Sequence, residues 1–292
     1  MRFSYAEAMI DPALYVPLAQ AVEEAGYDGF IVPDSICYPR ESDAKYPYTP
    51  DGDRSFIEGK PFIEPFVLMG ALGAVTTKLR FVTSVIKLTI RDPVLVAKQA
   101  TSVAALTNGR LALGIGTSPW PEDYEITGIA WEGRGKRTDE MLQVINGLMS
   151  GDYFGFDGDV FKIPEIKLCP VPEQPVPLLV GGHAEPALRR AARLSDGWVH
   201  GGEGDGAPLP ELIARLRELR ADSDRAGDPF EIHVISLEAY AADGIKRLED
   251  MGVTDVIVGF RYPYTRELDA EPLALKVDNL RRYADTVIAA SR

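Results

Sequence analysis

The 292-residue sequence has little of several things that would mark a particular class of protein. It has two cysteines, Cys37 and Cys169, without C-x-x-C spacing. That points to a reducing cytoplasm and away from a disulfide framework or a thiolate metal site. It has three histidines, His183, His200 and His233, and no H-x-H or H-E-x-x-H pair. The ligand set of a metal-dependent hydrolase is therefore missing, and no metal is expected. Basic residues are outnumbered, 31 Lys and Arg against 44 Asp and Glu for a net charge of −13, which disfavours a nucleic-acid partner. No apolar run approaches the roughly 20 residues that span a bilayer. The opening MRFSYAEAMID lacks the apolar core of a secretory signal. The expectation is a cytoplasmic protein with neither a membrane nor a nucleic-acid partner.

What is present is a globular composition, 46% hydrophobic and 26% charged. Short β-branched runs alternate with longer amphipathic stretches. The strands are expected over 2–8, 29–34, 79–88, 110–116, 178–182, 197–201, 230–240 and 254–260. The helices are expected over 11–26, 64–77, 92–109, 136–151, 185–195, 210–227, 243–252 and 272–291. Asp11-Pro12 and Asp92-Pro93 open two of them, and Gly26 and Asn108-Gly109 close the same two. Eight strands and eight helices in alternation predict a parallel sheet with helical crossovers, and eight units favour a closed (β/α)8 TIM barrel. The doubly wound alternative lacks its Gly-rich fingerprint, because Met9-Ile10-Asp11-Pro12 follows the first strand. No linker divides residues 1–292, so a single domain is expected. Two insertions stand out. Residues 35–63 follow the second strand and carry Tyr38, Tyr46, Tyr48, Phe56 and Pro39, Pro47, Pro50 and Pro61. Residues 151–170, between the fourth helix and fifth strand, read as a hairpin turning at Asp157-Gly158.

In such a barrel the chemistry sits at the C-terminal ends of the strands. That rule selects Glu7, Asp34-Ser35, Ser84 to Lys87, Gly116-Thr117-Ser118, Gly181-Gly182-His183, His200-Gly201-Gly202, Ser236, Glu238 and Arg261-Tyr262. Gly181 and Gly182 precede a helix start, the arrangement that cradles a phosphate; a plain tight turn is the other reading. His183 is a candidate proton donor or a polar cap. Asp34 is either a buried cofactor contact or a helix-start cap. Lys87 either meets an anionic substrate or extends its ammonium to solvent. Glu122-Asp123 are expected to cap a short helix rather than to form an acid–base pair.

Several segments resemble the luciferase-like monooxygenase superfamily in its coenzyme F420-dependent oxidoreductase branch. The strongest is LRFVTSVIKLTIRDPVLVAKQATSVAALTNGRLALGIGTSPWPEDYEITGIAWEGRGKRTDEMLQVINGLMSG, residues 79–151, and a second is PVPLLVGGHAEPALRRAARLSDGWVHGG, residues 175–202. The resemblance implies a barrel holding a flavin or deazaflavin at its C-terminal mouth, over a third-strand bulge with a non-proline cis peptide at Ser84-Val85. It implies that Asp34, Ser84, Val85, Gly116 and Thr117 surround the ring and ribityl chain, and that Gly181, Gly182 and His183 meet the phosphate. It further implies a homodimer that transfers a hydride between F420 and a small, uncharged or weakly polar organic substrate. An FMN-dependent monooxygenase and a non-catalytic flavin-binding barrel are the alternatives. Two positions depart from the pattern: Ser35 stands where many members carry His, and Thr117-Ser118-Pro119-Trp120 lacks the Glu of a sugar-phosphate-oxidising branch.

Overall fold

A computed structural model of the chain describes residues 1–46, 49, 51–202, 207–261 and 264–292. Pro47, Tyr48, Pro50 and Tyr262, singled out above, lie outside the described residues.

The chain begins with β1 (Arg2–Ala6), α1 (Tyr15–Glu24), β2 (Gly29–Val32) and α2 (Pro65–Gly73). It continues through β3 (Arg80–Thr83), β4 (Ile86–Lys87), α3 (Pro93–Leu106), β5 (Leu111–Gly116), α4 (Pro121–Thr127) and α5 (Arg134–Leu148). A hairpin of β6 (Phe154–Asp157) and β7 (Lys162–Ile166) leads to β8 (Leu178–Gly181), α6 (Glu185–Leu194), β9 (Gly197–Val199) and α7 (Leu209–Ala221). Then come β10 (Glu231–Ile235), α8 (Ala242–Asp250), β11 (Asp255–Val258) and α9 (Leu273–Tyr283), which continues through a π-helical turn over Ala284–Ile288 and a last helical turn over Ala289–Ser291. Strand order is β3-β2-β1-β11-β10-β9-β8-β5, and the β3–β5 pairing closes the ring into an eight-stranded parallel TIM barrel. Among the described residues, no helix is long and apolar enough to cross a membrane.

Strand alternation builds two cores. Ile31, Val82, Ala112, Leu179, Val199 and Ile257 point inward and fill the barrel, with Ala6 and Val85 above them. Their neighbours, among them Phe30, Phe81, Leu111 and Trp198, point outward against the helices. The N-terminal floor of the barrel is polar. Arg2 donates to both oxygens of Asp255 at 2.7 Å, Arg80 donates to both oxygens of Glu231 at 2.9 and 3.0 Å, and His233 Nε2 lies 2.7 Å from Glu231. Glu231, His233 and Asp255 lie close enough together to ligate a cation, but two guanidinium groups already occupy the carboxylates.

Four expected elements end or break elsewhere. The strand expected over 79–88 is split into β3 and β4. The strand expected over 230–240 stops at Ile235; the Ser236 hydroxyl accepts from Glu238 N–H and starts a 3-10 turn over Leu237–Tyr240. The helix expected over 210–227 ends at Ala221, where the Ser223 hydroxyl donates back to the Arg220 carbonyl at 2.8 Å. The hairpin turn spans the four residues 158–161 rather than Asp157-Gly158 alone. Glu140 on α5 holds it, accepting from the backbone N–H groups of Asp159, Val160 and Phe161 at 2.9–3.0 Å.

Candidate active site at the barrel mouth

The mouth is organised by the break between β3 and β4. Val82 pairs with Ala112 and Ile86 with Ile115, so four steps on one strand face three on the other. The extra residue is a β-bulge. Within it the Ser84–Val85 peptide is cis, at the bond that the resemblance singles out. Ser84 N–H donates to the Val32 carbonyl at 3.0 Å, and the Thr83 hydroxyl donates to the Gly114 carbonyl at 2.7 Å. The bulge aims Val85 into the mouth. A Cβ on Gly116 would lie 2.8 Å from Val85 Cγ2, and one on Gly181 would lie 2.9 Å from Val85 Cγ1. Gly116 and Gly181 therefore make room for Val85, which stands as an apolar platform between the ends of β5 and β8. The space of the missing Gly181 side chain is thus taken by Val85, while its backbone stays at the end of β8, beside the turn where the sequence expects a phosphate.

Asp34, at the end of β2, is neither a helix-start cap nor open to a ligand through its side chain. Its carboxylate is 1% exposed. Lys87 N–H donates to Asp34 Oδ2 at 2.8 Å, and Arg91 Nη2 donates to both oxygens at 2.9 Å. Asp34 thus ties β2 to β4 and steadies the bulge. Lys87 does not reach solvent: it is 7% exposed, and its Nζ lies 2.7 Å from Asp123 Oδ2. Asp123 is likewise no helix cap. It is buried in the first turn of α4, where it also accepts from the Ser118 hydroxyl, while Trp120 N–H donates to Ser118 Oγ at 3.0 Å. By alternation Lys87 shares the face of Val85. A buried ammonium–carboxylate pair therefore flanks the platform. Thr117 is exposed at the end of β5.

The ends of β8 and β9 form the second feature. Gly182 has φ +118° and Gly202 φ +99°, conformations that side chains rarely adopt. Trp198 Nε1 donates to the Gly182 carbonyl at 2.9 Å, fixing the turn that leads into α6. At the start of α6 Pro186 has no N–H, and the N–H groups of Ala187 and Leu188 donate to the Ala184 carbonyl at 2.8 and 3.1 Å, which leaves the Glu185 N–H at the positive end of the helix dipole. His183 and His200 stack at 4.5 Å with an interplanar angle of 16°, and Gly201 N–H lies 3.2 Å from His183 Nε2. Burial pushes the His200 imidazole down to about 4, with His183 beside it adding to the effect, and burial also lowers His183. Both rings are therefore neutral at pH 7, which makes His183 a hydrogen-bonding group rather than a fixed positive charge.

The insertion 35–63 crosses the mouth. It includes a 3-10 turn over Ser55–Ile57. Tyr46 stacks on Trp120 at 5.9 Å, Phe56 meets Tyr46 edge-on at 5.3 Å, and Phe56 stacks on Tyr264 at 6.0 Å. The insertion thereby joins the loops after β5 and β11. Lys60 also donates to the Glu267 carbonyl, and Glu58 faces Arg266 at 3.4 Å.

A further cluster escaped the sequence reading in part. Glu7 and Arg261 were expected at the mouth, but Lys276, Asp269 and Tyr264 were not. Glu7 accepts from Tyr5 at 2.6 Å and from Arg261 at 3.2 Å, and Lys276 Nζ sits 2.7 Å from Asp269 and 3.4 Å from Glu7. Lys276 is 1% exposed although it lies on α9, a helix with a polar sequence. Its only signal was a lysine among the apolar positions of the last helix. Ser236 and Glu238 serve local structure: Glu238 pairs with Arg247 on α8.

Comparison with known proteins places this barrel. The chain belongs to the luciferase-like monooxygenase family, whose model matches residues 4–277. It is thus an enzyme of a luciferase-like oxidoreductase class. An uncharacterized protein of Mycobacterium tuberculosis is 61% identical over 289 residues, covering 99% of each chain. An F420-dependent glucose-6-phosphate dehydrogenase of Nakamurella multipartita is 26% identical over 257 residues, 86% of this chain and 71% of that one. A structure of an F420-dependent secondary alcohol dehydrogenase in complex with an F420-acetone adduct superposes with a TM-score of 0.73 at 16% identity, over 100% of this chain and 99% of that one.

Proposed function

We propose that the protein is an F420-dependent oxidoreductase that moves a hydride between the deazaflavin and a small organic substrate at the barrel mouth. The observation that carries this reading is the Val85 platform on the bulge between β3 and β4, bounded by Gly116 and Gly181. A flat tricyclic ring suits a small apolar step better than a polar side chain would. The residues present fit such a group. Val85 and the bulge backbone would carry the ring. The turn at Gly182, the start of α6 and His183 would carry its phosphate, and a Cβ on Gly182 would approach Ala187 Cβ to 3.1 Å. Ser84, Gly116 and Thr117, and the backbone of Asp34, border the same space. Two relatives that match at low identity carry F420 in their names, which supports the same cofactor.

The bound cofactor would supply the hydride at its C5 carbon. This chain's residues position, shield and hold protons. Lys87 Nζ, kept by Asp123, holds a proton on the platform side of the mouth. The aromatic insertion closes over the ring and excludes water. The reading includes a homodimer in a reducing cytoplasm. FMN is the competing cofactor, since the platform and phosphate cradle serve a flavin equally well and the family takes its name from monooxygenases. Fluorescence titration with F420 and, separately, FMN tests the reading. Micromolar saturation by FMN alone would reject F420.

A further inference from the structure

The insertion over the mouth carries a positive charge with no counter-ion among the described residues. Arg54 is 9% exposed. Its guanidinium carbon lies 5.2 Å from the centre of the Tyr38 ring and 4.9 Å from that of Trp120. Among the described residues, its side chain donates no hydrogen bond and faces no carboxylate. The nearest acids in sequence are engaged elsewhere: Asp53 accepts from Ser55 N–H at 2.9 Å and from the Ser55 hydroxyl at 2.6 Å, and Asp51 accepts from Asp53 N–H at 3.0 Å. Other cations built into the mouth are matched. Lys87 faces Asp123, Arg91 faces Asp34, Arg261 faces Glu7, and Lys276 faces Asp269. Arg54 stands out against them, in a chain of net charge −13.

Aromatic faces steady a guanidinium but leave its in-plane N–H edge unspent. None of its nitrogens is sealed away from solvent, so the edge is open to a ligand, and it fits a planar carboxylate through two parallel hydrogen bonds. One unspent positive charge matches a monoanion rather than a phosphate dianion. We propose that Arg54 is the receptor for a carboxylate on the substrate, which makes the substrate class an organic acid rather than the uncharged compound that the resemblance implies. The inference rests on the reading of the mouth as a substrate site. The anionic end of a cofactor is provided for elsewhere, by the Gly182 turn at the ends of β8 and β9, whereas Arg54 lies against residues that follow β2 and β5.

The test is calorimetric titration of acetate, benzoate and succinate, each against its neutral amide, into the native protein, Arg54→Gln and Arg54→Lys. Cofactor affinity is followed in parallel by F420 fluorescence. At least one acid should bind the native protein about tenfold or more tightly than its amide, the size expected of a charge-assisted bidentate contact. Arg54→Gln should erase that preference, Arg54→Lys should keep part of it, and neither should alter F420 affinity. Unchanged thermal melting in Arg54→Lys guards against a folding artefact. Acids binding no better than amides, or an acid preference surviving in Arg54→Gln, overturns the proposal. So does a loss of F420 affinity in place of acid affinity, because the anion would then be the cofactor's. If the native protein fails to bind F420 but still discriminates acids, the cofactor assignment falls and the carboxylate receptor stands.

Discussion

Seating Val85 between two glycines can be tested by filling one of the spaces. In Gly116→Ala the new Cβ would stand 2.8 Å from Val85 Cγ2. Comfortable carbon contacts lie at about 3.5–4.0 Å, so one group must retreat by about 1 Å. Val85 has little freedom to do so, because its other methyl already fills the space left by the missing side chain of Gly181, where a Cβ would lie 2.9 Å from Val85 Cγ1. Overpacking of this kind costs about 1–3 kcal/mol. Loss of glycine from a strand returns about 0.5–1 kcal/mol, so a net destabilisation of about 1–2 kcal/mol is expected. Val85→Ala alone should cost about 1 kcal/mol, since it removes two methyl groups from a half-buried side chain. The double variant, with both changes, should be no less stable than Val85→Ala, because the clashing methyl is gone. The coupling energy should therefore be about 1–2 kcal/mol in the compensating direction. Urea denaturation of the four proteins measures it. Additive effects within about 0.5 kcal/mol would show that Val85 does not occupy the space between Gly116 and Gly181. The same cycle read by F420 titration asks whether displacing the platform weakens the cofactor.

The remaining expectations concern other parts of the molecule. Gly182→Val, at φ +118°, should abolish cofactor binding while leaving far-ultraviolet circular dichroism nearly unchanged; normal binding would move the phosphate cradle elsewhere. At the barrel floor, burial favours the neutral form of Glu231, but hydrogen bonds from His233 and Arg80 win and hold its carboxyl far below the usual range. A depressed folded value adds stability above the ordinary glutamate value of about 4.3 and loses it as pH falls from there toward the folded value. Glu231→Gln should flatten the acid limb of the stability profile; an unchanged slope in chemical denaturation between pH 5 and 3 would contradict this, those limits being about one unit either side of the free carboxyl. Replacing residues 38–60 by a short Gly/Ser linker should weaken cofactor affinity and speed loss of reduced cofactor without changing the oligomeric state seen by sedimentation. A change from dimer to monomer with affinity preserved would assign the insertion to a subunit interface.

Much of the architecture was legible in the chain itself. Alternating apolar periods of two and about 3.6 residues, with Asp-Pro starts and Gly ends, mark eight βα units, and eight such units close a barrel whose mouth lies at the strand ends. That rule alone brings Asp34, Ser84, Val85, Gly116, Gly182 and His183 to one face. What each side chain does there was decided by tertiary contacts, because charge partners lie far apart in sequence. Asp34 reads as a ligand contact until Arg91 and the backbone of Lys87 saturate it. Lys87 reads as a surface lysine until α4 folds Asp123 over it. That the missing side chain of Gly181 leaves room for Val85 follows only from the bulge, one residue longer than its partner strand. Arg54 carries no local mark at all. Its isolation exists only where Tyr38 and Trp120, 82 positions apart in the chain, close around it while the acids beside it turn to other donors. Periodicity is a property of neighbouring residues and survives in the linear sequence. Which charges meet, and which one is left over, is a property of distances that only the folded chain defines.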